Sequence, residues 1–270
     1  MLEKNPFVRF LLENDNFSTI WKSISNDPEL YIQYYIDIEL NDVKDLNIKI
    51  HYNGFHILSL KYTNDFIQLK DERKNNLDLK NILSIIDSKK EEYKSNSNND
   101  EPSYQYHYSA FDKRIIFTEY WPYFRGVRTD LILADSKTKK IYLVEIKKLE
   151  NKDFKSGKAK NQLIEYMKFI ENDYSMVKCF SEAQIKIRKS LGLYKESAIH
   201  NYKIEKTPIL LIINSDDMLD VDNHRQKYGE MLLNYSFGII YTNKIILNQS
   251  CDFLIDLKKL KKEKIYYEII

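Results

Sequence analysis

Cysteine is nearly missing from this chain: 270 residues hold only Cys179 and Cys251, far apart and with no Cys-x-x-Cys spacing. That argues against a disulfide framework, a zinc ribbon or an iron–sulfur ligand set, and it suits a reducing compartment. Six glycines supply neither a Gly-x-x-x-x-Gly-Lys-Ser/Thr P-loop nor a Gly-x-Ser-x-Gly elbow. No P-loop ATPase motor is therefore encoded, and nothing suggests acyl chemistry. No apolar run reaches membrane-span length, and the opening residues, with Glu3, Lys4 and Pro6, carry no signal-peptide pattern. The expectation is a cytoplasmic protein of a microbe or virus. No internal repeat is visible. A global basic footprint is missing too, since 42 Lys+Arg stand against 40 Asp+Glu.

What is present is organised. Residues 94–104, which include Lys-Ser-Asn-Ser-Asn-Asn-Asp-Glu-Pro-Ser, have the composition of a linker. They separate an N-terminal accessory domain at 1–93 from a second domain at 105–270. In the first, Pro6 to Ile24 predicts one helix with Phe7, Phe10, Leu11, Phe17, Ile20, Trp21 and Ile24 as its apolar set. Asn53-Gly54 between Ile48–Tyr52 and Phe55–Leu60 predicts a tight hairpin, and Leu77 to Tyr93 a helix. His51 and His56 would face each other across that hairpin, a pair that a transition metal could use but that an exposed hairpin explains better. The second domain reads as β-β-β-α, a polar variable stretch, then β-α-β-β, an α/β arrangement around a mixed sheet. Its later elements are a strand at Pro208–Asn214, a helix from about Asp222 to Tyr235, and strands at Phe237–Tyr241 and Lys244–Leu247.

Charge is concentrated at one place in that second domain. Thr-Asp-Leu-Ile-Leu-Ala-Asp (129–135) and Tyr-Leu-Val-Glu-Ile-Lys-Lys (142–148) are strand-length apolar runs joined by a polar turn. A turn with Lys137 and Thr138 at its centre sets Asp130 opposite Glu145. Strand alternation then puts Lys147 on the same face. Like charges directly opposite in a hairpin are destabilising, so the pair is more readily kept if a hard divalent cation neutralises it. Between Lys137 and Lys160 nine lysines face three acids, a local excess that suits an anionic polymer. On the following helix, Lys158 to Ile170, an apolar face is formed by Ala159, Leu163, Met167 and Ile170. Gln162 and Tyr166 fall on another face, with Lys155, Lys158 and Phe169, where an amide, a ring and lysines could hold a phosphate backbone and stack on a base.

These residues resemble the PD-(D/E)XK, or restriction-endonuclease-like, nuclease superfamily. The helix Gln162-Leu163-Ile-Glu-Tyr166 is similar to the Gln-Leu-x-x-Tyr motif of its RecB-type members. The resemblance spans roughly residues 110–215. It implies a mixed sheet flanked by helices and hydrolysis of phosphodiester bonds, most readily in DNA. Asp130, Glu145 and the backbone carbonyl of Ile146 would hold Mg²⁺ or Mn²⁺. Lys147 would act on the attacking water and the transition state, while Gln162, Tyr166, Lys155 and Lys158 would bind nucleic acid. Thr129 stands where the family name has proline, and the cysteines of its iron–sulfur subgroup are absent. Glu119 is a candidate upstream acid, since a turn centred between Phe124 and Arg125 would set it opposite Asp130. Glu91 and Glu92 compete for that role. His224, Arg225 and the basic tail from Lys258 to Lys264 could add phosphate contacts. The implied context is defence or repair. The rival is a member of the fold that binds nucleic acid or protein without cleaving, and a homodimer is compatible with either.

Overall fold

A computed structural model describes residues 6–39, 42–63, 66–70, 81–94, 105–106, 108–110, 112–120, 128–148, 152–194, 201–213 and 239–242. The chain is mixed α/β and divides into two units. One comprises residues 1–113 with 185–195, the other 114–184 with 196–270. The expected helix at Asp222–Tyr235, the strand at Lys244–Leu247, His224, Arg225, the basic tail and most of the linker lie outside the described residues.

The first unit opens with two helices where the apolar periodicity suggests one, α1 (Pro6–Glu13) and α2 (Asp15–Asn26). The break is at Asn14, whose Oδ1 accepts the Phe17 N–H at 3.1 Å. Asparagine is favoured at helix starts because its side chain satisfies an amide that the first turn leaves orphaned. Next comes a four-stranded antiparallel meander, β1 (Leu30–Glu39), β2 (Asp42–Tyr52), β3 (Phe55–Thr63) and β4 (Phe66–Lys70). The β2–β3 turn is the expected one: Tyr52 pairs with Phe55, and both Asn53 (φ 54°) and Gly54 (φ 85°) are left-handed. α3 (Ile82–Tyr93) follows, and residues 77–80 of its predicted length lie outside the described set.

One face of this sheet carries the core. Leu30, Ile32, Tyr34, Ile48, Ile50, Leu58 and Leu60 are buried with Leu11, Phe17, Trp21 and Ile24 of the first two helices. Leu191 closes the core from 170 residues away, its carbonyl accepting the Trp21 indole N–H at 2.9 Å. Trp21→Phe removes that donor and leaves a buried carbonyl unpaired, so it should cost about 1–3 kcal/mol, read as a lower thermal midpoint.

On the opposite face His51 and His56 are cross-strand partners, as the hairpin register requires, with ring centroids 5.5 Å apart. His51 is not exposed as the sequence suggests. It is buried, stacked on Tyr106 at 4.2 Å, and its Nε2 lies 3.2 Å from Gln33 Oε1. Burial, with His56 and Lys49 adding to it, pushes its pKa down to about 3. The unfolded chain binds a proton below about 6.5, whereas the folded chain does not until about 3. Stability should therefore fall as pH drops through that interval, by about 1.4 kcal/mol per pH unit from this residue. His51→Leu should flatten that acid slope in denaturation curves measured at several pH values.

The second unit is a mixed sheet in the order β10-β9-β7-β6-β5, where β5 is Ile115–Tyr120, β6 Thr129–Asp135, β7 Lys140–Lys148, β9 Ile209–Ile213 and β10 Ile239–Thr242. A two-residue β8 (Lys203–Ile204) also pairs with the start of β7. β5, β6 and β7 are antiparallel; β9 runs parallel to both β7 and β10. The run at 209–213 is thus an interior strand, as its unbroken apolar sequence implies. After β7 come the four-residue α4 (Lys152–Lys155), α5 (Lys158–Asn172) and α6 (Tyr174–Ser190). The last forms where the sequence reads as a polar variable stretch. Its buried residues include Ser181, Gln184 and Arg188, so apolar periodicity does not mark it. α6 counts with the second unit through Gln184 and with the first from Ile185. Among the described residues no helix is long and apolar enough to cross a membrane.

Candidate active site

The β6–β7 hairpin fixes the site. Its last pair, Asp135↔Lys140, leaves residues 136–139 as the turn, and Asp135 Oδ2 accepts the Thr138 N–H at 3.1 Å. The register runs from there to Leu131↔Val144. One step further brings Asp130 level with Glu145, the alignment that turn symmetry gives. Asp130 is half-buried and caps the end of the ladder: its Oδ2 accepts the Ile146 N–H at 2.7 Å. Thr129, next to Asp130, lies with its hydroxyl 3.1 Å from the Leu131 carbonyl and 3.2 Å from that of Val144. Its hydroxyl therefore helps tie β6 to β7 beside the site.

β7 is buried along its whole middle, and that includes its two charges. Glu145 is 2% exposed, and Lys147, two residues on and so on the same face, puts Nζ 2.6 Å from Glu145 Oε1. The other carboxylate oxygen, Oε2, meets the hydroxyl of Tyr166, which also touches the main-chain oxygen of Arg128. One phenolic proton can serve only one of these acceptors at a time. The hydroxyl is held well above the usual tyrosine pKa, first by burial and then by the negative charges of Glu145 and Asp130. Tyr166 is consequently a neutral donor across the physiological range.

Tyr166 corrects the face assigned to it from the sequence. Tyr166 and Phe169 are buried with Ala159, Leu163 and Ile170, whereas Met167 is only half-buried. A ring that is 1% exposed offers no surface for stacking a base; its hydroxyl orients Glu145 instead. Gln162, one turn earlier, has a buried Oε1 with no hydrogen-bond partner among the described residues. Such an orphan is a natural receptor for a donor on a ligand. α5 itself begins after Gly157, which is left-handed at φ 76°.

Glu119 behaves in two ways at once. Thr118↔Leu131 and Tyr120↔Thr129 bracket it, so it stands level with Asp130 as expected. Its backbone is left-handed (φ 54°), however, and its carboxylate ion-pairs with Arg128. Glu91 and Glu92 lie on α3 in the first unit, paired with Lys94 and Lys89. Lys158 is 67% exposed, and the Lys155 side chain lies outside the described set.

Sequence reasoning missed Asp153. It sits on α4 with Oδ2 3.9 Å from Lys147 Nζ and Oδ1 3.7 Å from Lys158 Nζ. One acid inside a lysine run reads as solvated surface, and only its position five residues after the strand could have drawn notice.

No three His, Cys, Asp or Glu side chains among the described residues converge closely enough to form a metal-binding group. The acids that the β6–β7 register sets level are hard-oxygen donors, the carboxylates of Asp130 and Glu145. They fit a cation such as Mg²⁺, which needs only one or two carboxylates and keeps several waters. No family model, curated protein or solved structure matches the chain.

Proposed function

We propose that the second unit is a divalent-metal-dependent nuclease that hydrolyses phosphodiester bonds, with DNA as its substrate. The observation that carries the reading is the β6–β7 register, which one step past Leu131↔Val144 sets Asp130 level with Glu145, together with the burial of Lys147 against Glu145. Charges seldom sit in the middle of a buried strand unless they are paired or belong to a functional site, and an acid level with this pair on the next strand supports the second.

Asp130 and Glu145, with the Ile146 carbonyl, would hold Mg²⁺ or Mn²⁺. Such a cation polarises the scissile phosphate and lowers the pKa of its bound water. Lys147 contributes a fixed positive charge where the phosphorane charge develops, in a dry setting that strengthens it. Tyr166 orients Glu145 through Oε2 until a cation engages the carboxylate. Gln162 offers its amide to the nucleic-acid strand, and Lys155 and Lys158 bind phosphates. The test is digestion of plasmid, linear and single-stranded DNA and of RNA, with Mg²⁺ or Mn²⁺ and with chelator. Cleavage that chelator abolishes is expected; inertness toward all four substrates would overturn the reading.

A non-cleaving member of the same class is favoured by one observation. Both oxygens of Glu145 are already engaged, by Lys147 and Tyr166. In that case the chain would bind nucleic acid in the same way whether or not metal is added.

Binding has its own test. Lys155→Ala with Lys158→Ala should weaken affinity for DNA and lower the slope of log K against log salt by about 1–2, one unit per lost phosphate contact. Metal affinity should not change. An unaltered slope would mean that this lysine run is only solvated surface.

A further inference from the structure

The Lys147 side chain is 7% exposed, and its ammonium stands near the carboxylates of both Glu145 and Asp153. Glu145 Oε1 forms an ion pair with it at 2.6 Å, and Asp153 Oδ2 stands at 3.9 Å. The second distance allows attraction but exceeds hydrogen-bond reach. The same holds for Asp153 Oδ1 and Lys158 Nζ at 3.7 Å. Asp153 is thus placed between the buried lysine and an exposed one, just beyond hydrogen-bonding distance of each.

We propose that Asp153 is the positioning carboxylate of Lys147, taking over the ammonium from Glu145 when a divalent cation draws the Glu145 carboxylate away. The cation's part in this rests on the nuclease reading; the exchange of partners is a property of the three side chains themselves. The physical need is plain. A largely buried ammonium that loses the carboxylate beside it is strongly destabilised unless another counter-charge replaces it. The four-carbon lysine stem is flexible, and a shift of about 1 Å would bring Nζ within hydrogen-bond reach of Oδ2. Engagement of the exposed Lys158 with a phosphate acts in the same direction, because it leaves Asp153 to Lys147. The lysine then stays fixed at the reaction centre after its first partner has turned to the metal.

The first test needs neither metal nor substrate. Glu145→Gln, Asp153→Asn and the double variant of the full chain are compared by thermal denaturation in chelator. If the two carboxylates are alternative partners for one ammonium, the double variant should lose more than the sum of the single losses. In a Lys147→Met background that excess should vanish. Additive losses would overturn the proposal. The second test uses Mn²⁺ and linear DNA. Asp153→Asn should lower kcat about tenfold with KM unchanged, as expected for a misplaced group rather than a lost binding contact. Asp153→Glu should recover most of it. Unchanged kcat, or a loss confined to KM, would overturn the positioning role. If the wild type cleaves nothing, the nuclease reading fails, while the thermal cycle still decides whether Asp153 is Lys147's second partner.

Discussion

Lys147→Ala is expected to lose cleavage by on the order of 10²-fold or more, while its affinity for nucleic acid changes little. The lysine provides no metal-binding oxygen, and it adds at most one charge to a surface already rich in lysine. In the nuclease proposed above, its contribution would therefore belong to the transition state, where negative charge accumulates on the scissile phosphate. Burial sharpens the expectation, because a charge that is 7% exposed acts through little screening water. It also introduces a complication, since removing the ammonium leaves the Glu145 carboxylate buried without it. Folding should be confirmed by circular dichroism, and Lys147→Arg gives a variant that keeps the charge. Partial activity in Lys147→Arg with none in Lys147→Ala would separate electrostatics from collapse of the site. If Lys147→Ala cleaves as well as wild type across DNA and RNA with either metal, the activity is not seated here, and the non-cleaving reading takes its place.

The parts of the fold that sequence made legible are those set by local rules. The Asn53-Gly54 turn and the β6–β7 register both follow from side-chain alternation and from turns whose residues dictate their geometry. Even the alignment of Glu119 with Asp130 emerges from turn symmetry. Its pairing with Arg128 does not, because a left-handed residue inside a strand re-aims its side chain in a way that alternation cannot anticipate. Burial was harder to read. Tyr166 looks amphipathic and polar on a helical wheel, yet its hydroxyl has a buried acceptor, so the ring can go inside without leaving a polar group unpaired. α6 hides for a related reason, with serine, glutamine and arginine among its buried residues. The role of Glu145 itself was half visible. Its face and its opposite carboxylate could be derived, whereas its ion pair with Lys147 in a dry strand could not.

That ion pair reverses the sign of one expectation. Two carboxylates level on neighbouring strands suggest that deleting one should relieve repulsion and stabilise the metal-free protein. The surroundings of Glu145 argue the opposite. Its Oε1 forms an ion pair with a buried ammonium at 2.6 Å, and its Oε2 takes the hydroxyl of a buried tyrosine whose proton stays on. Glu145→Ala strands both donors, and breaking a buried pair by removing one partner costs about 3–5 kcal/mol. Repulsion from half-buried Asp130 is the smaller effect, since that carboxylate is offset by the Ile146 N–H. Asp153 can recover part of the loss at Lys147 but none at Tyr166. Glu145→Ala should therefore unfold several degrees lower than wild type in chelator, and Glu145→Gln, which retains an acceptor, should fall less. Adding Mg²⁺ should raise the midpoint of the wild type, because a ligand that binds only the folded state stabilises it. It should leave that of Glu145→Ala where it was. A metal-free Glu145→Ala protein more stable than wild type would mean that carboxylate repulsion dominates the site and that Lys147 is a spectator.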